Sequence, residues 1–118
     1  MTEIVIKRVR EEPQEQDGVR ILVDRLWPRG LSKAKADVGC RVPEAAPSPE
    51  LRKWFNHEPA KWEEFVERYR AELEENSAAA ELGAQIERHP KVTLLYDAKD
   101  TKHNHALILR DWLAYQAG

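Results

Sequence analysis

Val92-Thr-Leu-Leu-Tyr-Asp-Ala-Lys-Asp-Thr-Lys-His-Asn-His-Ala106 reads as a buried strand that runs straight into a polar loop and a helix start. Residues 91–97 have a continuous apolar centre, the pattern of a strand covered on both faces, as strands of parallel sheets are. Such a junction delivers side chains and helical N–H groups to the carboxyl edge of a sheet, where open α/β folds hold their ligands. Tyr96, Asp97, Asp100, His103 and His105 crowd into it.

Working outward, residues 4–9 (Ile-Val-Ile-Lys-Arg-Val) and 19–26 (Val-Arg-Ile-Leu-Val-Asp-Arg-Leu) are rich in β-branched residues and partly alternate, as strands with a buried face do. The charged segment between them is broken by Pro13 and Gly18, which suggests a loop joining two neighbouring strands. Residues 36–42 form a weaker strand candidate. Helices fill the second half. Ser48-Pro49-Glu50 combines a capping hydroxyl, a first-turn proline and an early acid, and predicts a helix to about Asn56. After Pro59, Trp62, Phe65, Val66, Tyr69 and Leu73 recur at helical spacing opposite a charged face, so these aromatics are expected in the core. Further helices are expected over residues 77–89, ended by Pro90, and over residues 102–116, with Leu107, Ile108, Trp112 and Leu113 inward.

Strands followed by helices, closing on a buried strand and a terminal helix, predict an α/β fold. The expected form is a small, mostly parallel or mixed sheet of about four strands with helices packed on it, a Rossmann-like layered single domain over residues 1–118. A length of 118 residues with 42% hydrophobic content supports one core and no second domain. The net charge of −2 steers the chain towards neither nucleic acid nor an anionic membrane, so neither partner is expected. Four Trp should mark core or pocket walls. The one cysteine, Cys40, excludes an intrachain disulfide and a multi-thiolate zinc site. No basic leader followed by a long apolar run opens the sequence, and no apolar stretch is long enough to span a membrane, which predicts a cytoplasmic protein.

A second constellation, Asp24-Arg-Leu-Trp-Pro-Arg-Gly30, closes the second strand candidate. Two guanidinium groups flank a rigid Trp-Pro turn, and a turn that exposes backbone N–H beside two arginines can hold a phosphate or carboxylate. The structural alternative is an Asp24–Arg25 ion pair above a packed Trp27.

Together with Ala46-Pro-Ser-Pro-Glu-Leu-Arg-Lys-Trp-Phe-Asn-His57, Trp62-Glu-Glu-Phe65 and the opening stretch, this run makes the chain resemble the YeaO-like branch of domain-of-unknown-function family 488 over nearly its whole length. The resemblance implies a fold and a site rather than a reaction. Its characteristic positions fall on Asp24, Arg25, Trp27, Pro28, Arg29, Gly30, Trp54, Phe55, His57, Tyr96, Asp100, His103, Asn104 and His105. Longer relatives in the wider family resemble this chain but place a cysteine where Tyr96 stands, and Cys-His-Arg where Asn104-His105-Ala106 stands. This chain has neither cysteine, which argues against thiol or redox chemistry. Cys40, amid Val38, Gly39 and Val42, reads as a small core residue.

These residues predict a pocket for a small anionic, phosphate-bearing molecule at the carboxyl edge of the sheet. Asp24, Arg25, Trp27, Arg29, His57, Asp100 and Asn104 would bind, the start of the last helix would add N–H groups, and Tyr96, His103 or His105 would transfer protons. If chemistry occurs, hydrolysis or transfer at phosphorus or a glycosidic bond fits better than hydride transfer, since no glycine-rich dinucleotide fingerprint is present and no cofactor is expected. His57 sits on a tight helix-to-helix connection, where it could equally cap the preceding helix. His103 and His105 are two residues apart and reach one ligand only if His103 lies in the loop. A metal-dependent enzyme using His57, His103, His105 and an aspartate is the rival reading. No histidine pair has the i, i+4 spacing of the familiar hydrolase helix, and a contiguous His-Asn-His is not the dispersed nuclease motif, so no dedicated metal is expected. A third reading is a non-catalytic domain that engages a protein or nucleic acid over a flat face.

Overall fold

In the computed structural model, residues 2–117 are described, and they form a four-stranded sheet of order β1-β4-β2-β3 in which every pairing is parallel. The strands are β1 (Glu3–Arg8), β2 (Val19–Leu22), β3 (Cys40–Arg41) and β4 (Lys91–Tyr96). Five α-helices accompany them: α1 (Lys33–Ala36), α2 (Pro49–Phe55), α3 (Trp62–Glu74), α4 (Ser77–Ile86) and α5 (His105–Ala117). No helix among the described residues is long and apolar enough to cross a membrane.

β4 is central, and its sequence says why. Val92, Thr93, Leu94, Leu95 and Tyr96 are all at most 2% exposed, so a strand with no polar face has been given cover on both sides. Successive side chains enter different cores. Leu94, with Ile21, Val23 and Val92, joins the large cluster formed with α2 to α5, while Leu95 and Leu22 join a smaller one with Val9 and Ala36. Trp27, Leu31 and Val38 close that second cluster. The one polar side chain inside β4, Thr93, donates its hydroxyl to the Asp17 carbonyl at 2.6 Å and so costs little to bury.

β1 and β2 are not neighbours, contrary to the expectation from the loop that joins them. β4 lies between them, pairing Ile6 with Leu94 on one side and Ile21 with Leu94 on the other. The connection between β1 and β2 is anchored instead by Asp17, which accepts from Lys7 Nζ at 3.1 Å and from Arg20 Nη1 at 2.6 Å. Gly18 completes the turn at φ 66, where an added Cβ would meet the Lys91 carbonyl oxygen at 2.3 Å.

Residues 36–42 are only partly a strand. Ser32 caps Lys35 N–H, and Lys33-Ala-Lys-Ala36, all good helix formers, make one helical turn that Asp37 ends in a left-handed conformation. Only Cys40 and Arg41 pair with β2. β2 itself stops at Leu22 rather than Leu26, because Val23 makes the last ladder bond, to the Leu95 carbonyl, and the Asp24 carboxylate then takes the N–H of Asp97.

The helices follow their capping signals. Ser48 Oγ accepts from Leu51 N–H and donates to Glu72 on α3, fastening α2 at its start. Phe65, Tyr69 and Leu73 are buried as the helical spacing requires, whereas Trp62 and Val66 are half-buried at the edge of the core. On α5 the buried stripe is Ala106, Ile108, Leu109, Trp112 and Leu113, with Leu107 only half-buried. α4 ends at Ile86, three residues before the expected His89. The Thr2 hydroxyl lies 2.9 and 2.7 Å from the Ile86 and His89 carbonyls and closes that end.

Candidate functional site

β2 and β4 are adjacent and parallel, so the loops that follow them leave the same edge of the sheet side by side. The first carries Asp24 to Gly30 and the second Asp97 to Asn104. The cleft of about 720 Å³ at their meeting is lined by Asp24, Arg25, Trp27, Arg29, Asp100 and His105 from these loops and the start of α5, and by Arg52 and His57 from beyond. A second lobe of about 340 Å³ shares Arg52, His57 and His105 with it and extends to His103 and Asn104. Two distant constellations of the sequence therefore meet in one concavity. Tyr96 is the exception: 2% exposed, it lines neither lobe, and burial pushes its hydroxyl above the ordinary phenol range.

At the floor, His105 Nε2 lies 3.0 Å from the Val23 carbonyl and 3.4 Å from Asp24 Oδ1. A carbonyl only accepts, so Nε2 carries the hydrogen and Nδ1 is left as the acceptor when the ring is neutral. Burial raises the Asp24 carboxyl above its usual range, against the opposing pull of His105, and the same burial lowers the His105 imidazole. Asp24 Oδ2 accepts from Asp97 N–H at 3.0 Å, while Oδ1 is buried without a hydrogen bond.

Arg25 does not pair with Asp24. Its Nη2 donates to the Ala46 and Pro47 carbonyls at 3.2 and 3.1 Å, and its Nε is buried without a partner. Trp27 is held by an Nε1 donation to the Leu31 carbonyl at 2.7 Å, with the Arg41 guanidinium over its ring. Arg10 braces the Trp27–Gly30 turn from below, bonding the Arg29 carbonyl at 2.8 Å and the Asp97 carboxylate at 2.6 Å. The side chains of Arg29, Arg52 and Lys99 are exposed and make no hydrogen bond or ion pair among the described residues. The acids of the cleft, by contrast, are bonded at least in part: Asp97 with Arg10, Asp24 through Oδ2 with the Asp97 N–H, Asp100 with its own loop.

The last helix starts at His105, later than the expected Lys102, and Asp100 is the reason. Its Oδ1 accepts from the N–H groups of Lys102 and His103 at 2.8 and 3.0 Å, and its Oδ2 meets His103 Nδ1 at 2.9 Å. The backbone bonds first, and then His103, hold the Asp100 carboxyl below its usual range. Asn104 then caps α5, its Oδ1 accepting from Leu107 N–H. The N–H groups of Lys102 and His103 are consequently occupied from within and are not the anion donors the sequence suggested. His103 stands in the loop, its ring edge-on to Trp62 at 5.3 Å, as a shared site with His105 required.

His57 does not cap α2, because Asn56 does so in a left-handed conformation. His57 follows in the same region at φ 54, and two consecutive non-glycine residues with positive φ place strain at the cleft. Arg52 and Lys99 were not singled out in the sequence. For Arg52 the signal was its place beside the inward pair Leu51 and Phe55 on α2, which leaves it on the flank of the buried stripe. No group of three or more His, Cys, Asp or Glu placed to hold a metal occurs among the described residues.

Relatives share this chain almost from end to end. Uncharacterized protein YeaO of Escherichia coli K12 is 46% identical over 110 residues, covering 93% of this chain and 96% of that protein. Uncharacterized proteins Mb3100c of Mycobacterium bovis and Rv3073c of Mycobacterium tuberculosis H37Rv are each 38% identical over 112 residues, covering 95% of this chain and 94% of their own. No solved structure gives a significant match. Residues 3–117 match the family described as the inactive DUF488-N3 subclade, and the chain belongs to that family.

Proposed function

We propose that the cleft binds a small anionic, phosphate-bearing molecule and holds it without turnover. The observation that carries this reading is the charge arrangement: Arg29, Arg52 and Lys99 line the cleft with no hydrogen bond or ion pair among the described residues, whereas Asp97 is paired with Arg10, Asp100 is bonded within its own loop, and Asp24 Oδ2 holds the Asp97 N–H. Guanidinium groups left free beside a concave wall are suited to planar, bidentate recognition of phosphate or carboxylate. Arg25, tied to Ala46 and Pro47, adds fixed positive charge behind them. Trp27 and His57 form walls, and Asp100 and Asn104 shape the loop that the ligand touches.

Of the three candidate proton carriers, Tyr96 is buried and harder to ionise than usual, while His103 and His105 each hold one ring nitrogen in a protein bond and keep the other, Nε2 and Nδ1, for a ligand. The reading of binding without turnover rests on the description of the matching subclade as inactive. The concave setting of the site favours a small molecule over a flat macromolecular face. The same reading places the protein in the cytoplasm, where phosphorylated small molecules are held and where the unpaired Cys40 stays reduced.

Calorimetric titration with pyrophosphate and ribose 5-phosphate tests it. Wild type is expected to bind at least one of the two. Arg29→Ala and Arg52→Ala should each weaken that binding about tenfold, roughly 1.4 kcal/mol. Absence of heat with both anions, or a response that both variants leave unchanged, would overturn the reading.

A further inference from the structure

The smaller lobe has a chemistry that an anion alone does not need. Phe55, Phe65, Pro47, Pro49 and Ala98 give it apolar walls, and it opens directly into the cationic lobe across Arg52, His57 and His105. Phe55 and Phe65 face each other with ring centroids 4.3 Å apart and are 6% and 3% exposed, so they turn ring edges to the lobe, and the His57 ring lies 6.5 Å from Phe55. Aromatic edges favour a flat ring, because a π-face packs against them in the edge-on arrangement.

The lobe also has an unspent polar atom. His103 Nδ1 is bonded to Asp100, so Nε2 is free to accept when the ring is neutral. Asn104, by contrast, is 3% exposed, and its amide is spent on the Asp100 carbonyl at 3.0 Å and on the Tyr96 hydroxyl. A ring-nitrogen acceptor at the rim of an apolar slot matches an N–H on the edge of a heteroaromatic ring.

Building on the anion reading above, we infer that the ligand is a nucleotide, with its base in the lobe of Phe55, Phe65 and His103 and its phosphate against Arg29, Arg52 and Lys99. The base packs its face against the aromatic edges and meets His103 Nε2 with its polar edge. The ribose spans the neck at His57 and His105, and the phosphate takes the arginines. Ring and anion each contribute to affinity, so neither fragment alone binds as well as the whole.

Titration of wild type, Arg29→Ala and His103→Ala with AMP, GMP, CMP, UMP, the four nucleosides and ribose 5-phosphate tests this, with thermal melts confirming that both variants are folded. At least one nucleoside monophosphate is expected to bind ten times or more tightly than ribose 5-phosphate, and by a similar factor more tightly than its own nucleoside. His103→Ala should weaken the nucleotide several-fold and leave ribose 5-phosphate unchanged, whereas Arg29→Ala should weaken both. Ribose 5-phosphate binding that depends on Arg29, with no nucleotide binding more tightly, would overturn the base site and leave the anion site standing. Silence from every compound would overturn both. A nucleotide affinity indifferent to His103→Ala would remove the base from this lobe, and a nucleoside as tight as its monophosphate would break the pairing of ring and phosphate.

Discussion

His105 on α5 donates its Nε2 hydrogen to the Val23 carbonyl at 3.0 Å, and this bond ties the start of the last helix to the end of β2 across the floor of the cleft. The ring is largely buried, and burial lowers its pKa below the ordinary histidine value despite the nearby Asp24. The unfolded chain therefore binds a proton that the folded chain resists, so this group stabilises the fold fully above about pH 6.5, and that contribution is lost as the pH falls through the lowered folded value. Asp24 acts with the opposite sign, since its raised carboxyl costs stability as the pH rises from the ordinary aspartate range through the raised value. Urea unfolding of wild type and His105→Gln at pH 7 and pH 5 separates the two. The loss of stability from pH 7 to 5 should be smaller in the variant, whose amide can still donate to Val23, and an equal loss in both would refute the assignment.

Gly18 is required by backbone geometry. At φ 66 and ψ −140 it occupies a region that L side chains rarely adopt, and a Cβ would press 2.3 Å from the Lys91 carbonyl oxygen. Gly18→Ala is expected to cost about 3 kcal/mol, combining conformational strain with displacement of the first residue of β4. Equilibrium urea denaturation should show the midpoint falling at unchanged slope.

Asp17 is the hinge of a buried charge cluster. Burial alone would raise its carboxyl, but the Gln14 N–H, Lys7 and Arg20 together hold it below the usual aspartate value. Arg20 is 5% exposed, bonded to Asp17 and to the Ala36 and Asp37 carbonyls. Asp17→Ala leaves that guanidinium buried without its counter-charge and is expected to destabilise by about 3–5 kcal/mol. The double variant Asp17→Ala/Arg20→Met should recover part of this loss. Unfolding free energies of the single and double variants check it, and a double variant less stable than Asp17→Ala would contradict the argument.

The strands and helices that the sequence announced clearly are those with strong local signals. The apolar run of β4, the Ser48-Pro49 start of α2 and the aromatic spacing of α3 all reappear in place, because burial on two faces, end-capping and helical periodicity are decided within a few residues. The departures lie where a distant group intervenes. β2 is cut short by the bond between Asp24 and the Asp97 backbone, 73 residues away, and β1 and β2 are parted by a strand that comes much later in the chain.

The site divides the same way. Sequence reading found the residue types and the two segments that carry them, since arginines around a Trp-Pro turn and a strand running into a histidine-bearing loop are local patterns. It could not tell that Arg25 would bond Ala46 and Pro47 rather than Asp24, or that Arg52 of α2 would join the cleft. By itself, then, the sequence determined the α/β class, the central buried strand and the polar segments at the sheet edge that line the cleft, because these follow from periodicity and side-chain chemistry. Only the tertiary structure decided which charges pair and which stay free. That outcome depends on distances between parallel neighbours β2 and β4, brought together by burial of β4 on both faces, and no local pattern encodes it.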